Sequence, residues 1–113
     1  MQRGNFGAMA LDKRFDGDLV ATSKGELLSA VGEVKGSAGY VAIERVSGVL
    51  EGRSGSFVLL HYRIMTRGAP QLTVTVVPDS GTGQLSGLSR TLIINVEGGK
   101  HFYELLYELP EAL

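Results

Sequence analysis

The sequence predicts an all-β protein, an antiparallel meander that forms a small barrel. Three observations lead there. Sixteen glycines spread through 113 residues leave only the last segment with room for a long helix. Between them, β-branched and aromatic residues collect in short runs, as they do in strands. The gaps between runs are short and carry turn residues, so successive strands pair antiparallel; parallel pairing needs crossovers of about a dozen residues or more.

The strands follow in order from their boundaries. The first, 6–15, ends at Asp16-Gly17-Asp18, and the second, 19–33, runs to Lys35-Gly36-Ser37. The third and fourth, 39–51 and 55–66, flank Gly52-Arg53-Ser54, and Arg67-Gly68-Ala69-Pro70 opens the fifth, 71–77. Pro78-Asp79-Ser80-Gly81 leads to a short strand at 83–88, then to 90–97, Gly98-Gly99 and 100–109. The last segment is ambiguous. Phe102, Leu105, Leu106 and Leu109 repeat at helical spacing, whereas period 2 aligns His101, Tyr103, Leu105, Tyr107 and Leu109. A hairpin centred on Gly98-Gly99 pairs positions summing to 197, placing Tyr103 against Ile94 and Leu105 against Leu92, which favours a strand that Pro110 ends.

Composition excludes several functions. The absence of Cys removes disulfide scaffolds and thiolate metal sites. A net charge of -1, with Asp12, Asp16 and Asp18 among Arg3, Lys13 and Arg14, is not the footprint of a nucleic-acid or anionic-membrane binder. No window approaches the ~20 apolar residues of a membrane helix and no signal peptide opens the chain, so a cytoplasmic protein is expected. At 12.0 kDa the chain reads as one domain, 1–113, which buries roughly two thirds of its unfolded surface.

Candidate chemistry comes from the central hairpin. A turn centred on Gly52-Arg53 pairs positions summing to 105, setting Glu44 against His61, Ala42 against Arg63 and Tyr40 against Met65. Glu44, His61, Arg63 and Tyr40 then share one face with Val46, Phe57 and Leu59. On the inside of a closed sheet, this is a polar cluster in an apolar lining. Its carboxylate and imidazole can exchange a proton or hold the polar end of a ligand, or simply satisfy one another. Glu26, on the preceding strand, is a further candidate neighbour.

Other motifs fail their context tests. Gly81-Thr82-Gly83-Gln84-Leu85-Ser86-Gly87 opens no helix and lacks a following Lys-Ser or Lys-Thr, so it reads as a bend rather than a phosphate loop. His61 and His101 have no metal-ligand spacing, and Ser54 lies in a hairpin turn rather than a nucleophile elbow. No metal or cofactor is expected.

The strings Phe15-Asp-Gly-Asp-Leu19, Ala21-Thr-Ser-Lys-Gly-Glu26, Lys35-Gly-Ser-Ala-Gly-Tyr-Val-Ala-Ile-Glu-Arg-Val-Ser-Gly48, Gly52-Arg-Ser-Gly-Ser-Phe57, Leu72-Thr-Val-Thr-Val-Val-Pro-Asp-Ser-Gly-Thr-Gly83 and Gly99-Lys-His101 resemble the bacterial domain-of-unknown-function family 3224. The resemblance spans about Phe6 to Pro110. It implies a small barrel similar to that of plant allene oxide cyclase, an enzyme that holds an unsaturated fatty-acid epoxide in its cavity. Family members carry another strand before the segment equivalent to Phe6–Phe15, so the barrel is expected to lack its first strand. The leading expectation is binding of a small apolar molecule; the alternatives are a cyclase- or isomerase-type enzyme using Glu44 and His61, and an oligomer-forming module, such as a homodimer, using Phe102 and Leu106.

Overall fold

In the computed structural model, residues 6–97 and 100–109 are described, with the side chains of 92–105 excepted. Seven strands form one antiparallel sheet in chain order: β1 (Phe6–Phe15), β2 (Leu19–Val31), β3 (Ala38–Leu50), β4 (Arg53–Thr66), β5 (Ala69–Val76), β6 (Ser89–Glu97) and β7 (Lys100–Glu108). The predicted strand at 83–88 is instead a single 3-10 turn, Gly83–Leu85. The last hairpin has the expected register, with Ile94 opposite Tyr103 and Leu92 opposite Leu105. The Gly98-Gly99 turn and the side-chain positions of His101, Phe102, Tyr103 and Leu105 lie outside the described residues. No helix among the described residues is long and apolar enough to cross a membrane.

Alternation assigns two faces. On the inner face, rows run across the strands as Lys13–Ser23–Val46–Phe57, Leu11–Gly25–Glu44–Leu59–Val76 and Met9–Leu27–Ala42–His61–Val74. One end of this face is a closed core. Phe15, Leu19, Val46, Leu50, Phe57, Leu59 and Val76 are buried there beneath Leu85 and Leu88, with Tyr107 and Leu109 packed against them.

The segment after β5 makes that closure. β5 pairs with β4 only from Leu59 to Thr66, which leaves the first half of β4 with free edge groups. Side chains replace the missing strand: Ser80 Oγ, Thr82 Oγ1 and Gln84 Oε1 accept from the backbone N–H groups of Val58, Ser56 and Ser54 at 3.0, 3.0 and 2.8 Å. Thr82 N–H returns a bond to the Ser56 carbonyl at 2.8 Å. Alternate side chains of an irregular segment thus meet alternate donors of a strand, as buried backbone groups require. Gly55 permits the approach, because a Cβ there would overlap the Thr82 carbonyl.

The sheet curls without closing. Only Thr75 and Thr91 pair β5 with β6, and no pairing joins β7 to β1 among the described residues. The expected barrel is therefore an open curl. Its curvature shows at the closed end, where Tyr107 on β7 donates to Glu51 Oε2, in the β3–β4 turn, at 2.6 Å. In a flat sheet three strand spacings, about 14 Å, separate β7 from β4.

Candidate functional site

The β3–β4 turn sets the geometry of the candidate cluster. Its two central residues are Glu51 (φ 47°) and Gly52 (φ 83°), the positive pair that a tight type I′ hairpin needs. The hairpin centre is thus one residue earlier than the expected Gly52-Arg53, and paired positions sum to 103: Glu44 faces Leu59, Ala42 faces His61 and Tyr40 faces Arg63. Shifting a hairpin centre by one residue moves every partner by two positions. That preserves the faces, since side chains alternate with period 2. The four residues therefore still share the inner face, and Glu44 meets His61 diagonally.

At the boundary between the closed core and the open end of the curl, Glu44 is fully buried. His61 Nε2 lies 3.4 Å and Lys13 Nζ 3.1 Å from Glu44 Oε2. Lys13 comes from β1, across β2, where the inner positions are the small residues Ser23 and Gly25. A Cβ at position 25 would overlap the Ile43 carbonyl, so glycine also lets β2 and β3 approach at this point. Neither Glu44 oxygen accepts a well-formed hydrogen bond, and Ser23 Oγ, His61 Nε2 and Arg63 Nε are buried without hydrogen-bond partners.

Electrostatics keep this carboxylate ionised. Burial alone pushes its pKa up, yet the contacts from His61 and Lys13 together outweigh burial and hold it below its ordinary 4.5. The result is a buried, acceptor-only carboxylate with unused hydrogen-bonding capacity, flanked by a cation and an imidazole. Lys13 was not legible as a member of the cluster. Its odd position in β1 puts it on the inner face once the β1–β2 register is known, but its neighbours Asp12 and Arg14 make it resemble part of a solvated charged run.

The other candidates divide. Tyr40 and Arg63 pair across β3 and β4 nearer the open end, both half-buried. With Ser29, Val31, Ala38 and Met65, they line a cavity of about 130 Å³ on the inner face. Glu26 is on the outer face: it pairs with Ile43, its side chain is exposed, and the inner position beside Glu44 belongs to Gly25. Among the described residues no group of three His, Asp or Glu is arranged to hold a metal ion.

Comparison with known proteins gives a family of unknown function. Among curated proteins none matches the chain. A crystal structure of a protein of unknown function from the DUF3224 family of Shewanella oneidensis MR-1 is 57% identical in sequence, with a TM-score of 0.91 over 96% of this chain and 81% of that one. The family model for proteins of unknown function DUF3224 matches residues 2–107. On the family model and on this similarity, the chain belongs to the DUF3224 family.

Proposed function

We propose that the inner face holds a small, largely apolar molecule at its open end. The molecule's body rests against Ala38, Tyr40 and Met65, and its polar end points toward Arg63 and the Glu44–His61 pair farther along the face. The observation that carries this reading is the 130 Å³ cavity beside Arg63, whose Nε is buried without a partner. A cavity of about 150 Å³ accommodates benzene, so the occupant is a ring-sized molecule or one end of a longer one. An unpaired buried donor favours an occupant that brings an acceptor.

Titration with hexanol, hexanoate and cyclohexanone, followed by NMR amide shifts, tests this. Binding should perturb Ser29, Ala38–Tyr40, Arg63 and Met65, and Ala38→Phe, which fills the cavity, should abolish the shifts. No saturable shift with any probe at millimolar concentration would overturn the proposal.

A second reading is proton transfer by Glu44 and His61 in an isomerisation. It is supported by the 3.4 Å approach and the unused hydrogen-bonding capacity of the carboxylate. A base that takes a proton from one carbon and returns it to another needs no co-reactant. Exchange of deuterium from solvent into a bound ketone, lost in Glu44→Gln while binding persists, is the expected signature; exchange unaffected by that change would rule the reading out.

A further inference from the structure

The outer face of the sheet has a different character from the inner one. Leu28, Val41 and Tyr62 form one row across β2, β3 and β4, and Ile43 and Leu60 form part of the next. Phe6 and Ile64 extend the patch toward the open end of the curl. Leu28 is 58% exposed and Ile43 54%, and the patch contains a groove of about 420 Å³. With roughly 60–120 Å² offered by each large side chain, the patch comes to about 600 Å², at the upper limit for a monomeric soluble protein.

The area of the whole chain points the same way. A compact 12.0 kDa protein exposes about 6,000 Å², whereas this chain exposes 7920 Å². Its radius of gyration, 15.7 Å, exceeds the about 13 Å of a compact chain of this length. Part of this excess belongs to the uncovered open end of the inner face; the outer patch, about 600 Å² of apolar side chain, comes near the ~800 Å² that each partner contributes to a standard interface once its polar rim is counted. Charge at the patch is self-complementary. Glu26 lies among the apolar residues, beside Ile43, and the adjacent row runs Asp12–Lys24–Arg45. A two-fold arrangement brings both signs from each side, as an interface between identical surfaces requires.

From these observations we infer that the outer face of β1–β4 is a self-association surface, and that its partner is a second copy of this chain. Leu28, Val41, Ile43 and Tyr62 form the centre. Glu26, which loses solvent on association, meets Lys24 or Arg45 of the partner subunit. The other occupants that such a face could take, a lipid surface or an unrelated protein, require no pairing of this chain with itself.

Sedimentation velocity from about 5 to 200 μM separates these cases, because micromolar association is populated across that range. The wild-type chain should sediment as a dimer at the upper end. Ile43→Lys combined with Tyr62→Lys, both on the exposed face, should weaken association at least roughly tenfold by placing unpaired charge at its centre while circular dichroism remains that of the folded sheet. The chain has no cysteine, so Val41→Cys alone provides a second readout: a short bismaleimide should cross-link it, and should leave Met65→Cys, on the inner face, as monomer. A wild-type monomer at 200 μM would overturn the inference, and so would a dimer that survives the double substitution or cross-links through Met65→Cys. Ligand titration on the inner face is independent of all these outcomes.

Discussion

The two ends of the inner face are built on the same strands and have opposite characters. At the closed end, Val46, Leu50, Phe57 and Leu59 are at most 1% exposed. At the open end, Tyr40, Arg63 and Met65 of the same two strands are half-exposed and border a cavity. Apolar content does not separate them. The difference is cover: Leu85 and Leu88 lie across the first set, whereas no described segment covers the second. The end proposed to bind is therefore where a curled sheet runs past its lid, and the ionisable cluster of Lys13, Glu44 and His61 lies at that border.

Removing a large side chain from each end should separate the two ends most strongly. Phe57→Ala should cost about 3–5 kcal/mol in chemical denaturation, since the lid prevents the cavity from collapsing, while Met65→Ala should cost less than about 1 kcal/mol. Equal costs would mean that the lid does not distinguish the two ends.

The border is tested next. Lys13→Ala leaves Glu44 buried beside the imidazole alone and should destabilise by about 2–3 kcal/mol, somewhat below a fully buried pair because the lysine is 29% exposed. The same carboxylate gives a pH dependence. Its folded-state pKa lies below the ordinary 4.5 of the unfolded chain, so its contribution is present above about pH 4.5 and is lost as the pH falls through the lower folded value. Wild-type stability should decline along that acid limb, and the Glu44→Gln profile should be flatter there. Parallel profiles would show that folding does not lower the Glu44 pKa.

Smaller effects probe the lid itself. Thr82→Val removes the acceptor of the Ser56 N–H and should cost about 1 kcal/mol, with faster amide exchange at Ser56. Tyr107→Phe loses the exposed bond to Glu51 and should change the melting midpoint least. A larger effect from Tyr107→Phe than from Thr82→Val would make the β7 contact, rather than the segment after β5, the principal closure.

Much of this organisation was legible in the residues. Glycine spacing and short gaps located the seven strands, and the Gly98-Gly99 centre predicted the last register because any two-residue loop there leaves the same pairing. The central hairpin was misjudged by one residue, since Glu51 adopts the positive φ usually left to Asn, Asp or Gly. The shared face of Tyr40, Glu44, His61 and Arg63 survived that error, as a two-position slip does not change the side on which a residue lies. The segment 83–88 was expected as a strand, yet Gly83–Leu85 form a 3-10 turn, and Leu85 and Leu88 cover the core. They are apolar as lid residues, which contact at a distance in sequence and leave no periodic trace.

The alternation of faces and the meander follow from local sequence, because period-2 patterning and turn chemistry act between residues close along the chain. Long-range packing sets which part of the inner face is covered, that Lys13 crosses β2 to reach Glu44, that Glu26 turns outward, and that the curl remains open. Each of these depends on strand register and curvature summed over several strands, where a small local change in a turn or a glycine becomes a displacement of many ångströms.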